Sequence, residues 1–363
     1  MQPLRDWISD WFTRVFPNAQ AVSFAILLLV GFVAVISLAD MLMPVFAAGV
    51  IAYLLEGIVA LGERKKLPRL ISVILVYILF IAFLLIMFVA FLPLLYQQTV
   101  QLIEQLPGWV NRGQVLILEL PQRYPDFITV EQANELIGVV RQRLIGYGQS
   151  MLTYSYASLV SVITLIVYFV LVPLLVFFFL KDKDRIIGWL SQYLPQDLHL
   201  PTQVWREVDM QIGNYIRGKV FEIIIVFAVS YATFSLMKLN YALLLAVMVG
   251  LSVIIPYVGA TLVTFPVVIV GFFQWGLNDD FWYLVLAYAI IQGLDGVMLV
   301  PLLFSEVVNL HPVAIIVAIL FFGGLWGFWG VFFAIPLATF VKAVLSAWPR
   351  LKEATETPPG AAA

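Results

Sequence analysis

The sequence predicts an all-α, polytopic membrane protein with about eight membrane segments, two of them interrupted and so either spanning or re-entrant (broken), plus amphipathic helices in a long outer loop. Three observations carry this reading. The 363 residues are 63% hydrophobic and only 12% charged, with a mean hydropathy of +1.00, whereas soluble domains carry roughly 25% charged residues. Between Lys219 and Lys342 only six side chains are formally charged, namely Glu222, Lys238, Asp279, Asp280, Asp295 and Glu306. The apolar matter falls into runs of about 20 residues, the length that crosses a bilayer as a helix.

Taken in order, residues 1–20 place Trp7, Ile8, Trp11, Phe12, Val15 and Phe16 at helical spacing among Arg5, Asp6, Asp10 and Arg14, the pattern of an interfacial amphipathic helix. Hydrophobicity resumes at Ala21 and persists through two spans with no small-residue cleavage site, so no cleaved leader is expected. Eight apolar stretches follow: Ala21 to Leu38, Met41 to Leu61, Leu70 to Leu95, Ala157 to Leu180, Val220 to Met237, Tyr241 to Phe273, Phe281 to Phe304, and Pro312 to Val341. Ala39 and Asp40 join the first two so closely that a tight antiparallel hairpin is expected. The organisation is thus three spans in 21–95, an extracytoplasmic helical loop in 96–156, a fourth span in 157–180, cytoplasmic amphipathic helices in 181–219, four last segments in 220–341, and a cytoplasmic tail from 342 to 363, disordered from Glu353 onward.

The outer loop is expected to be helical. Leu102, Ile103, Leu106, Val110, Val115, Leu116 and Leu120 recur near helical spacing, and Thr129 with Gln132 forms a capping-box pattern ahead of Leu136, Ile137, Val139 and Val140. So much apolar surface must lean on the membrane or on a neighbouring subunit. On the inner side, Val204, Val208, Ile212, Tyr215 and Ile216 form a similar stripe.

Orientation follows from Lys and Arg beside the spans. Arg5, Arg14, the cluster Arg64-Lys65-Lys66 with Arg69, the basic residues from Lys181 to Lys219, and Lys342, Arg350 and Lys352 fall on one side of an eight-span arrangement. Only Arg112, Arg123, Arg141, Arg143 and Lys238 face the other. Both termini are expected to be cytoplasmic. Tyr241 to Phe273 and Pro312 to Val341 are too long for one untilted helix, and each is interrupted, by Ile255-Pro256-Tyr257-Val258-Gly259 and by the glycines at 323, 324, 327 and 330. If both re-enter, Asp279 and Asp280 move to the outer face.

Several function classes drop out on inventory. A net charge of −2 with scattered basic residues offers nucleic acid no surface. With zero cysteines and two histidines, His199 and His311, there is no disulfide, no thiolate chemistry and no metal or cofactor site to read. An intramembrane enzyme lacks its parts too: only Asp295 is deeply placed among the aspartates, and no His-Glu-x-x-His is present.

The run from Val172-Pro173 through Phe177-Phe178-Phe179-Leu180-Lys181-Asp182-Lys183-Asp184-Arg185 resembles the span-to-loop junction of the AI-2E (autoinducer-2 exporter) transporter family. So do Tyr215-Ile216-Arg217-Gly218-Lys219, Ile255-Pro256-Tyr257-Val258-Gly259, Asp295 followed by Val300-Pro301, and Leu310-His311-Pro312 followed by the glycine-rich stretch ending at Ala334-Ile335-Pro336-Leu337. The resemblance implies about eight membrane segments in a bacterial-type inner membrane, homo-oligomeric assembly, and transport of a small molecule or ion. Some members export a furanone-type quorum-sensing signal and others exchange sodium or lithium for protons, so solute export and monovalent cation/proton antiport both remain open, beside a channel or a membrane scaffold.

For a transporter, the residues that would handle cargo are those that bilayer energetics disfavours. An ionised group at the centre of hydrocarbon costs roughly 2.5–3.5 kcal/mol even on lenient scales. Asp295, with Gln292 one turn before it, is the leading candidate for coupling, because a buried carboxyl group can take up and release a proton. A structural pair with Arg217 or Lys219 is the alternative. Pro256 removes an N–H and Gly259 permits close backbone approach, which makes either a simple kink or a broken helix facing a ligand. Glu222, three residues after Lys219, reads as a helical ion pair, and Glu56, ahead of the basic turn, reads as paired. Glu306 and His311 flank the connection to the last segment, where solvation or a loop hydrogen bond competes with titration. The four glycines read as a close-packing face, or as an unwound segment if the chain re-enters.

Overall fold

The computed structural model describes residues 37–123, 167–192, 199–256, 258–304 and 310–347, with positions 22, 26, 29–34, 129–132, 134–135 and 137–138. The expectations for the amino-terminal helix, for the first half of the fourth span, for Glu306 and for the tail from residue 348 onward lie outside the described residues. Among those described, six helices are long and apolar enough to cross a membrane, and three shorter apolar helices accompany them.

The helices are α1 (Ala39–Arg64), α2 (Arg69–Ile86), α3 (Leu92–Arg123), α4 (Val167–Lys181), α5 (Lys183–Ser191), α6 (His199–Leu236), α7 (Ala242–Ser252), α8 (Val258–Trp275), α9 (Asp279–Leu294), α10 (Val300–Phe304), α11 (Pro312–Phe332) and α12 (Ala334–Ala347). Single π turns, Met87–Phe91 and Asp295–Leu299, join α2 to α3 and α9 to α10. Their lipid-facing character is visible on α2, where Leu75, Leu79, Phe83 and Ile86 are exposed along one stripe while Val73, Val76 and Phe80 are buried. In water such a stripe would drive aggregation; in hydrocarbon it is the solvated face.

The chain forms two compact units, one drawn from residues 1–46, 182–220 and 300–363, the other from 47–181 and 221–299. In the second, Ala48, Ala52 and Val59 of α1, Val73, Val76 and Phe80 of α2, and Val176 and Leu180 of α4 make one apolar core. A larger core gathers Trp109 of α3, Val226 and Phe234 of α6, Leu245 and Val249 of α7, Val263, Val267 and Val270 of α8, and Leu284 and Tyr288 of α9. Small residues set the closest approaches: a Cβ on Gly250 of α7 would lie 2.8 Å from the Cβ of Phe227 on α6.

The connections follow local chemistry. Lys66 adopts φ 64° in the tight basic turn between α1 and α2, and Leu67 N–H donates to Gly62 carbonyl at 3.3 Å. At the first junction Leu38 N–H donates to Ala34 carbonyl at 3.0 Å and Leu42 N–H to Leu38 carbonyl at 2.9 Å, so one helical segment ends and α1 begins on a single residue. No break marks the start of the outer loop: α3 carries on through Tyr96 without interruption to Arg123. Its helical character over 96–123 and its capping box are as expected: Thr129 N–H donates to Gln132 Oε1 at 3.1 Å and Gln132 N–H to Thr129 Oγ1 at 3.3 Å. Part of its apolar surface leans on this chain's own hairpin, with Trp109 stacked on Phe273 at 5.1 Å between ring centroids.

Candidate functional site

Both interrupted segments turn back on themselves. In the second unit, α7 has 11 residues, about 16 Å, and cannot cross a core about 30 Å thick. It ends at Ser252. The chain reverses through Val253–Pro256, and α8 returns antiparallel for 18 residues, about 27 Å. Gln274 closes the open end: its Oε1 accepts from Asn240 N–H at 2.8 Å and its Nε2 donates to Lys238 carbonyl at 2.9 Å. At the tip, Gly259 is buried so tightly that a Cβ there would run into the Ser252 carbonyl group. The Pro–Gly element is therefore a helix–helix reversal, and the kink-only reading is set aside.

The first unit repeats the device. α11 breaks at Gly327, which adopts φ 58°, ψ −133°. Eight residues of unbroken helix would separate Phe322 from Gly330 by about 12 Å, yet a Cβ on Gly330 would collide with the Phe322 carbonyl. The segment has folded back, and Ala318 and Phe322 pack against Ala334, Leu337 and Ala338 of α12. The four glycines thus do not form one face of a continuous helix; they allow a hairpin. His311 is the N-cap of α11, its Nδ1 accepting from Val313 N–H at 3.3 Å.

Against the tip of the first hairpin stands α9. Tyr288, Gln292 and Asp295 recur at spacings of four and three, one helical face. Tyr288 Oη accepts from Gln292 Nε2 at 2.7 Å, lies 3.4 Å from Thr264 Oγ1 and donates to Ala260 carbonyl at 3.4 Å, while Thr264 Oγ1 donates to the same carbonyl at 2.8 Å. This polar chain ties α9 to the first turns of α8. Asp295 closes the face, 9% exposed, at the first residue of the π turn. A π turn widens the backbone and recurs at functional positions. Pro256, Gly259, Gln292 and Asp295 thus belong to one unit and one neighbourhood of elements, whereas His311 belongs to the other unit.

Lys219 and Glu222 are buried within the protein, at 3% and 1% exposure. Arg217 is exposed, its Nε donating to Gly213 carbonyl at 3.1 Å. Glu56 is paired as expected, with Arg69. Sequence reasoning passed over Tyr288 and Thr264. Tyr288 was reachable from Gln292 by the four-residue spacing, but Thr264 gains its role only because the chain reverses.

The AI-2E family transporter model matches residues 9–350 of this chain. Among curated relatives, "Putative permease PerM" of Escherichia coli (strain K12) is 45% identical over 344 residues, covering 95% of this chain and 98% of the relative. "Putative transport protein YueF" of Bacillus subtilis (strain 168) is 28% identical over 314 residues, covering 85% and 84%, and "Putative transport protein YrrI" of the same organism is 23% identical over 310 residues.

Proposed function

This chain belongs to the AI-2E transporter family, and from that premise we propose that it is a secondary transporter exporting a small polar solute, of the autoinducer-2 kind, across a bacterial inner membrane, with Asp295 as the coupling carboxylate. The observation that carries the reading is the buried Asp295 on the same helical face as Tyr288 and Gln292, beside the tip of a reversed helical hairpin. Broken or reversed helices supply backbone groups for cargo inside the membrane. A carboxyl group there can exchange its charge for a proton and so tie solute movement to a gradient. Both termini face the cytoplasm and the working form is a homo-oligomer.

Monovalent cation/proton antiport is the second reading. It is favoured by the oxygens gathered at the same place, Thr264 Oγ1, Tyr288 Oη and Ala260 carbonyl, because hard oxygen ligands can replace the hydration shell of a small cation.

Reconstitution of the full chain in proteoliposomes with imposed proton and sodium gradients, against a solute panel that includes a furanone-type signal, separates the two. Export reading predicts gradient-driven solute flux lost in Asp295→Asn with the protein still in the membrane. Solute flux indifferent to that change removes Asp295 from the mechanism, and cation exchange without solute flux selects the second reading.

A further inference from the structure

A second site lies at the opposite end of the same hairpin. There a cleft of about 490 Å³ opens between α3 and the mouth of the α7–α8 hairpin, lined by Glu104, Gly108, Trp109 and Arg112 on one side and by Asn240 and Gln274 on the other. From Thr264 to Gln274 α8 advances ten residues, about 15 Å, so the cleft is separate from the Asp295 neighbourhood.

Its walls are fixed. Both ends of the Gln274 amide are engaged, to Asn240 N–H and Lys238 carbonyl. α3 is pinned to the hairpin by Gln98 Oε1, which accepts from Leu244 N–H at 2.9 Å, and the floor is the Trp109 ring lying flat on Phe273, 4° from parallel. Pockets of this size hold molecules of metabolite dimensions.

The charge arrangement is specific. Glu104 and Arg112 are two helical turns apart on one face of α3, about 12 Å along the axis, and neither forms an ion pair among the described residues. Between them Gly108 has open space where a side chain would stand. An acid at one end, a guanidinium at the other, and a flat aromatic with an empty glycine position in the middle make a receptor for a short molecule charged oppositely at its two ends.

We propose that this cleft binds small zwitterions of dipeptide size, the ligand's ammonium at Glu104, its carboxylate at Arg112, and its middle over Gly108 and Trp109. Arg recognises a carboxylate through a fork of parallel donors, which sets the orientation.

The test is equilibrium binding, by calorimetry on the full-length protein in detergent or nanodiscs, with alanyl-alanine as the probe. N-acetyl-alanyl-alanine lacks the ammonium and alanyl-alaninamide lacks the carboxylate. Each is expected to bind about tenfold more weakly, in line with the loss of one charge-assisted hydrogen bond. Glu104→Gln is expected to erase the difference between the probe and its acetylated form alone, and Arg112→Gln the difference between the probe and its amide alone. Gly108→Leu, which fills the cleft from a helix position whose Cβ meets nothing within 4 Å, is expected to abolish binding with a melting temperature no lower than that of the unchanged protein. No binding of the dipeptide, equal binding of all three ligands, or binding that survives Gly108→Leu overturns the proposal. The readout needs no gradient, so its failure leaves transport through Asp295 standing, and the reverse.

Discussion

The guanidinium of Arg69 forks onto the carboxylate of Glu56, Nη1 to Oε1 at 3.2 Å and Nη2 to both oxygens at 3.3 Å. The same side chain reaches Glu63 at 3.2 Å and donates to the carbonyl of Leu180 at 3.0 Å. One residue at the start of α2 therefore ties the end of α1 to the end of α4. Arg69→Ala leaves two carboxylates facing each other and a helix end uncapped. We expect a loss of about 1–2 kcal/mol, moderated because these groups are partly solvated, with Arg69→Lys recovering little of it because an ammonium has no planar fork. Denaturant unfolding in detergent measures both.

Gly259→Ala and Gly330→Ala each force a methyl group into a backbone carbonyl, of Ser252 and of Phe322. Because backbone cannot swing away as a side chain can, each is expected to destabilise by about 2 kcal/mol or more. Gly293→Ala is the control: it faces open space in the last turn of α9, where helical backbone runs on into the π turn, and is expected to gain up to about 1 kcal/mol from helix propensity. Thermal melting of the three variants should diverge in sign.

Tyr288→Phe removes the one hydroxyl that joins Gln292, Thr264 and Ala260. Stranding the half-buried Gln292 amide is expected to cost about 1 kcal/mol. Thr264→Val, whose hydroxyl also bonds within its own turn, should cost less. Unfolding measurements rank the two, and an equal loss would argue that the hydroxyl of Tyr288 is not the hub.

The sequence has no cysteine, which permits single-cysteine labelling without a background. The clasp from Gln274 to Lys238 and Asn240 puts the two ends of the α7–α8 hairpin together. Asn240→Cys and Asp280→Cys are accordingly expected to react with a membrane-impermeant maleimide from the same side. Reaction from opposite sides would mean that 241–273 crosses the bilayer.

The membrane character, the positions of the apolar runs, the two breaks, the Thr129–Gln132 capping box and the pairing of Glu56 were all legible in the residues. Each depends on composition or on neighbours a few positions apart, where helical period and desolvation cost leave little freedom. That no break would separate the third span from the outer loop was not legible, since α3 continues past Tyr96 on a face that is apolar enough to be carried by packing against α8.

By itself the chain determined that it must live in hydrocarbon and that Asp295 is a costly exception within it, because transfer energies are local and sum along the sequence. Only the tertiary structure decided that the Pro–Gly break reverses the helix, and that Tyr288 and Thr264 meet. A break frees backbone groups without saying where the next helix goes. That direction is set by contacts such as Gly259 on Ser252 and Gln274 on Asn240, between residues that the sequence alone gives no reason to pair.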